Sequence, residues 1–437
     1  MSDNRPNVVV FLTDQQRWDT CGCYGNPMGL TPNLDAMARR GAFFEHAFTC
    51  QPVCGPARAA LQTGMHAASL GCWKNNKPLP PDVPTLAKLF DAAGYDTGYI
   101  GKWHLAAKDR KPVPRELRGG YKFWRASDAL EYTSYPYDGC VFDEEGESVR
   151  LRGYRVDALT DIAIDYVQQD RQRPFFLFVS HLEPHFQTTL MHFIAPDGYA
   201  DRYRDCYVPP DLAASEGGDW REELPDYYGM CASLDENLGR LLDALKQRGL
   251  YDNTIVMFTS DHGCHFRTRN KEYKRSCHES SIRIPLVIDG PAFRGTGTRR
   301  ELVSLVDLPP TLLSGCGLKA PAHMHGRDLM PLVGGKASDW RNEVLVQITE
   351  HQISRCIRTE RWTYSAMAPR KDGVLSPVND LYVDDCLYDL QADPCEQNNL
   401  AGRSEFREVI VQMRQRLIEA MVAAGEARPV ITADLPA

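Results

Sequence analysis

Short apolar runs that end on charged residues constrain this chain most. Residues 8–12, 97–100, 175–180, 254–259 and 286–288 are rich in β-branched and aromatic side chains and show no polar alternation. That texture belongs to strands covered on both faces. Helix-like segments separate them. Thr31 and Pro32 offer an N-cap and a first-turn proline, and Gly41 offers a stop. Leu238, Leu241, Leu242 and Leu245 recur at helical spacing before Gly249, and residues 157–169 read as a second amphipathic helix. The pattern predicts an α/β fold with a large mixed, mostly parallel central sheet flanked by helices.

The texture changes after residues 331–335. Residues 344–349, 353–359 and 362–365 read as strands of an antiparallel sheet, and 405–424 as a helix. We therefore expect a catalytic domain over 1–335 and a small α+β subdomain over 336–437, with no internal repeat. Two stretches, 108–152 and 186–225, lack a clean period and are rich in Tyr, Pro, Gly and Asp. Loops of this length inside a compact domain usually bind ligands or act as lids.

Composition narrows the function classes. Of 437 residues, 43% are hydrophobic and 25% charged, which excludes a disordered chain. With 58 acidic against 50 basic residues the net charge is −8, which argues against non-specific nucleic-acid binding. No apolar stretch approaches the roughly 18 residues needed to span a bilayer. The N-terminus shows no basic region followed by an apolar core, so a cytoplasmic location is expected. The 14 cysteines are scattered without paired CxxC elements, so reduced thiols are the expectation.

Chemistry-bearing residues gather where the strands end. Asp14 and Gln15 follow the first run, and Asp261 and His262 follow the run at 254–259. Together they offer two carboxylates, an amide oxygen and an imidazole, a set suited to a hard or borderline divalent ion. Cys54-Gly55-Pro56-Ala57-Arg58 opens a short helix that Gly64 closes. A thiol there sits where unpaired N–H groups favour an anion, and Arg58 could face an anionic substrate. Lys102 and His104 lie past a further strand, His181 and His185 past another, and Lys274 precedes the run at 286–288. Singly, each segment also reads as an ordinary turn, a packed imidazole, a buried small thiol or a solvated polar stretch. Chance accounts poorly for five such strand ends together.

These residues resemble the formylglycine-dependent type I sulfatases of the alkaline phosphatase superfamily. Cys54-Gly-Pro-Ala-Arg58 resembles their C-x-P-x-R signature, and Gly94-Tyr-Asp-Thr-Gly-Tyr-Ile-Gly-Lys-Trp-His104 their second signature. Pro6–Asp14, Thr31–Asp35, Pro184-His185, Ser260–Gly263, Ile282–Leu286, Ile357–Thr359 and Leu387–Leu390 follow in family order, so the likeness spans nearly the whole chain. It implies an alkaline-phosphatase-like fold and sulfate-ester hydrolysis. Cys54 would be oxidised to formylglycine by a maturation enzyme, and one hydroxyl of the hydrated aldehyde would attack sulfur. Asp14, Gln15, Asp261 and His262 would bind one divalent metal, with Ca2+ favoured over Mn2+ or Mg2+. Arg58 would hold the formylglycine hydroxyl, and Lys102 and Lys274 would contact the sulfate. His104 would take the hydroxyl proton and His185 would protonate the leaving oxygen, with His181 the second choice for that role.

The pattern departs from the family in places. Ala57 stands where Ser is usual. Gln15 and His262 stand where many members carry Asp and Asn, a combination also found in choline sulfatases and in phosphonate and phosphodiester hydrolases. Phosphonate monoester or phosphodiester hydrolysis, or a choline-sulfatase-like activity, is therefore the alternative, and non-catalytic binding of a sulfated ligand a remote one. The expected substrate is a small sulfated carbohydrate, with Trp73 stacking on a sugar and Asn75 bonding its hydroxyls; Trp73 reads equally well as core. No nucleic-acid or membrane partner is expected, and a homo-oligomer is compatible with the sequence.

Overall fold

Residues Asn7–Thr13 (β1) are buried throughout and form the middle of the molecule. The computed structural model describes residues 5–336, 339–369 and 373–433. Beside β1 lie Phe175–Ser180 (β7) and Thr254–Ser260 (β8), both parallel to it. Further strands are Ala42–Phe48 (β2), Asp96–Lys102 (β3), Phe123–Ser127 (β4), Cys140–Phe142 (β5), Ser148–Arg150 (β6), Arg283–Ile284 (β9), Leu286–Asp289 (β10) and Gly297–Ser304 (β11). Among the described residues these eleven strands make one sheet in the order β11-β2-β10-β8-β1-β7-β3-β4-β5-β6, with β9 paired to β2. The long strands are parallel except β10, which runs antiparallel to both β8 and β2. The apolar run at 286–288 is thus a central strand of opposite sense, a direction that composition does not encode.

Helices cover both faces, as two-sided burial requires. They include Pro32–Arg40 (α1), Cys54–Thr63 (α2), Leu86–Ala92 (α3), Arg155–Gln168 (α4), Trp220–Gln247 (α5) and Leu308–Gly315 (α6). Helix α5 begins well before the leucine repeat and absorbs the end of the stretch at 186–225. Trp220, Leu224, Tyr227 and Tyr228 share its buried face and pack with Phe193 and Phe266. That aromatic periodicity outweighs Pro225 inside the helix.

The second sheet runs Glu343–Ile348 (β12), Ser354–Thr359 (β13), Trp362–Met367 (β14), Leu381–Asp389 (β15) and Val430–Thr432 (β16), in that order. It is antiparallel up to β15, and β16 joins parallel to β15. Its two faces follow the period of two. Ile357, Tyr364 and Leu387 meet Ile410, Met413, Leu417 and Met421 of helix Arg407–Ala423 (α7). The opposite face, with Val344, Val346, Cys356 and Cys386, packs on Phe48, Cys277, Ile282 and Leu302. Among the described residues no helix is long and apolar enough to cross a membrane.

Candidate active site

Parallel strands deliver their carboxyl ends to one edge of a sheet, where α/β proteins bind ligands. Register makes this concrete. Thr13 pairs with Ser260, so Asp14 and Asp261 leave β1 and β8 side by side. Gly101 pairs with Ser180, which brings Lys102 to the same edge. Helix α2 points its first residue, Cys54, at this edge, and all ten of its residues are buried.

Arg58, one turn along α2, ties the carboxylates together. Its Nη2 donates to Asp14 Oδ2 at 2.9 Å and its Nε to Asp261 Oδ2 at 3.1 Å. Its Nη1 donates to Ser180 Oγ and to the Lys102 carbonyl. Lys102 Nζ lies 2.9 Å from Asp14 Oδ2 and 3.3 Å from Glu131 Oε1. Around the Cys54 sulfur stand Lys274 Nζ at 3.0 Å, His262 Nε2 at 3.2 Å and Asp14 Oδ1 at 3.4 Å. Lys274 also reaches His185 Nε2 at 3.2 Å.

The charges shift one another. Burial raises the Cys54 thiol, but Lys102, Lys274, His262 and a hydrogen bond from His104 outweigh it, holding the thiol well below its ordinary value. Burial also raises Asp14, and Lys102, His185 and Arg58 bring it below the usual carboxylate range. Asp261 is raised, first by burial and then by the Asp14 charge.

The donors suit a cation. One ligand atom each from Asp14, Cys54, Asp261 and His262 falls within 4.8 Å of the others. His262 Nδ1 lies 2.9 Å from the Gly263 carbonyl, so the lone pair of Nε2 faces the carboxylates. Gln15 Nε2 is tethered to Cys264 Sγ at 3.3 Å, leaving the amide oxygen as the ligand that side chain offers.

A cavity of about 340 Å³ opens on this constellation; Gln15, Cys54, Asn75, His104, His185 and Lys274 line it. Gln15, His104 and Arg275 hold positive φ values of 69°, 59° and 64°. Such backbone strain gathers at functional sites. Both aperiodic stretches reach the cavity, through Glu131 and Tyr132 and through Phe186, Thr188 and Met191.

Two candidates stand elsewhere. His181 is fully buried against Phe11, with ring centroids 4.6 Å apart, and burial lowers its pKa to about 3. The one-residue pleat turns it into the apolar layer behind the cavity. Trp73 is not among the lining residues: Lys77 Nζ covers its ring at 4.4 Å, and its carbonyl accepts from Gln51 Nε2 at 2.7 Å. Asn75 does line the cavity, and its Oδ1 accepts from Gly55 N–H at 2.9 Å.

Sequence reasoning missed Glu131 and Arg275. Burial raises Glu131, but Lys102, His104 and His185 lower it to about 2. It lies on a short helix just past β4, a strand end in the same parallel set. Position after a strand was its available signal. Arg275, beside Lys274, donates Nε to Glu350 Oε2 at 2.9 Å, a partner remote in sequence.

Comparison with known proteins gives a consistent picture. Residues 6–318 match the family model described as Sulfatase, and residues 271–423 match N-sulphoglucosamine sulphohydrolase, C-terminal. An ulvan-active sulfatase from Formosa agariphila is 32% identical, over 97% of this chain and 82% of that protein. An N-acetylglucosamine-6-O-sulfatase from Bacteroides thetaiotaomicron is 26% identical, over 95% and 86%. The crystal structure of the yidJ sulfatase homologue from Bacteroides fragilis superposes with a TM-score of 0.84 at 28% identity, over 98% of this chain and 97% of the other.

Proposed function

The chain belongs to the sulfatase family and is a sulfuric ester hydrolase, and on that premise we propose that its substrate is a sulfated carbohydrate cleaved with Cys54 in its formylglycine form. One observation carries the proposal. The Cys54 sulfur, at the head of α2, lies within 3.4 Å of Lys274, His262 and Asp14 at the floor of a cavity. A group at this position is activated by its surroundings and open to a substrate from one side.

Asp14, Gln15, Asp261 and His262 would hold one divalent metal. When bound, that ion lowers the pKa of a nearby hydroxyl and neutralises sulfate oxygens. Arg58 fixes both carboxylates and so sets their directions. Lys102 and Lys274 supply positive charge where sulfate oxygens gather charge in the transition state. His104 takes the proton from the remaining hydroxyl as sulfate departs. His185, oriented by a contact of 2.6 Å between Nδ1 and the Phe186 carbonyl, turns Nε2 to Lys274 Nζ at 3.2 Å, from which it would take the proton it passes to the leaving alcohol.

The cavity rim favours a polyanionic sugar over choline sulfate. Its lining carries Arg267, Lys271, Lys274 and Arg275 against Glu131 and Glu272, beside the amides of Asn75 and Asn76. These cations would repel a quaternary ammonium and attract carboxylates or further sulfates. The names of the relatives, one ulvan-active and one acting on N-acetylglucosamine 6-O-sulfate, point the same way.

The test begins with peptide mass spectrometry of residues 41–58 from protein made with a maturation enzyme, trapping an aldehyde at 54 with hydrazine. Converted protein should hydrolyse sulfated saccharides, ulvan fragments and 6-O-sulfated N-acetylglucosamine among them. Chelation should lower both turnover and Tm, with recovery on adding Ca2+, Mn2+ or Mg2+ separately. Converted protein that cleaves matched phosphodiesters while leaving every sulfated sugar intact would overturn the proposal.

A further inference from the structure

Three thiols outside the active site meet where the second sheet packs against the first. Cys356 on β13 and Cys386 on β15 point to the same face of their sheet, and both are buried. Cys277, from the segment that enters the active site, is buried between them, its Sγ 3.3 Å from Cys386 Sγ. The two are 109 residues apart in sequence. All fourteen cysteines are free thiols.

We propose that Cys277 and Cys386 form a reversible disulfide that clamps the Lys274-bearing segment to the C-terminal sheet. At 3.3 Å the two sulfurs are already in contact, so the bond forms by closing that gap to the S–S bond length of about 2.05 Å. An oxidant has a route in. A surface cavity of about 260 Å³ is lined by both cysteines, His278, Asp385 and Tyr388. Cys277 is the sulfur with two thiol neighbours: contacts with Cys356 and Cys386, and the His278 ring, lower its pKa against the effect of its burial, which favours it as the first to react.

With a peroxide as oxidant the chemistry balances. The Cys277 sulfur attacks one peroxide oxygen, the O–O bond breaks, and a sulfenic acid and water result. The Cys386 sulfur then attacks the sulfenic sulfur, the S–S bond forms, and a second water leaves. Two thiols have lost two electrons, which peroxide has taken. A small thiol reverses the reaction by exchange.

The clamp bears on the site through a short stretch of backbone. Lys274 touches Cys54, and its carbonyl accepts from Asn270 Nδ2 at 2.9 Å. Three residues on, Cys277 meets β15, and His278 Nε2 lies 3.2 Å from the Tyr388 hydroxyl. Oxidation would fix covalently a segment otherwise held by polar contacts and by apolar packing.

The primary test needs no activity, so it stands apart from the proposed substrate. Intact protein is treated with hydrogen peroxide, alkylated, and mapped by mass spectrometry under non-reducing conditions. The expected product is a 277–386 linked peptide, lighter than its two components by two hydrogens and abolished by dithiothreitol. Oxidised protein should melt roughly 5 °C above reduced protein. Cys386→Ser should lose both the linked peptide and the shift, while Cys356→Ser should keep both. A Cys277–Cys356 link, or irreversible oxidation of Cys277 with Cys386 still free, would overturn the pairing. So would the absence of any link at peroxide doses that oxidise the half-buried Cys395.

Discussion

At Cys54 the chemistry rests on one side chain with several charged neighbours. Cys54→Ala removes the proposed nucleophile while leaving the helix backbone of α2 in place. We expect kcat/KM for any sulfate ester to fall by at least about 10³-fold with little change in substrate affinity. Retained turnover above about one-tenth of wild type would remove Cys54 from the chemistry. Glu131 gives a second test, read in stability. Its folded-state pKa of about 2 lies below its ordinary 4.5, so its contribution is present above pH 4.5 and is lost as pH falls towards 2. Glu131→Gln should flatten the fall in unfolding free energy across that window by on the order of 2 kcal/mol. Parallel denaturation curves for variant and wild type would show that Lys102 does not hold the charge. The contrast between Cys54 and Glu131 shows what was legible in the sequence. Cys54 carries a motif, whereas Glu131 is marked only by its place after β4. His181 shows the converse error, since spacing near a strand end cannot say which face a ring will take.

Among elements, strand ends were readable because two-sided burial demands continuous apolar runs, and the polar residues that follow must then surface at one edge. Strand direction was not readable, as β10 shows, because the same residues bury equally well in either sense. Loops were legible as loops but not as contacts: Glu131 and Met191 line the cavity from stretches with no periodicity. Gly101 tests the edge itself. It holds φ +100°, and a Cβ there would stand 2.0 Å from the Ser180 carbonyl oxygen across the β3–β7 pair. That neighbour is backbone within a sheet and cannot yield without opening the pairing that sets Lys102 beside Asp14. Gly101→Ala should therefore cost about 3 kcal/mol or more, visible as a large drop in Tm or in soluble yield. A variant as stable as wild type would mean that the sheet edge is more pliable than its pairing implies.

Across the whole molecule, the second sheet acts as a wall of the active site as well as a cover for the first. Gln347 N–H donates to the Cys50 carbonyl at 2.8 Å, and Thr349 Oγ1 accepts from Gln51 Nε2 at 2.6 Å, just ahead of Cys54. Glu350, two residues past the end of β12 and with φ +69°, is the joint. Its carboxylate accepts from Arg275 and from the Asn75 backbone N–H, and both of those residues line the cavity. No local pattern announces this, because each partner lies in a different part of the chain and only packing brings them together. Glu350→Ala would free Arg275 to bend towards Glu272, its remaining partner, and would loosen the turn that presents Asn75. Neither residue touches Cys54 sulfur, so substrate binding should suffer more than the chemical step. We expect stability to fall by about 1–3 kcal/mol and KM for a sulfated saccharide to rise about tenfold, with kcat within about threefold of wild type. Glu350→Gln keeps an acceptor for Asn75 but not the charge for Arg275, and should fall between the two. If KM stays fixed while Tm drops, Glu350 is only a structural joint, and the second sheet takes no part in holding substrate. If kcat falls as far as KM rises, the wall reaches through Arg275 and Lys274 to the nucleophile itself.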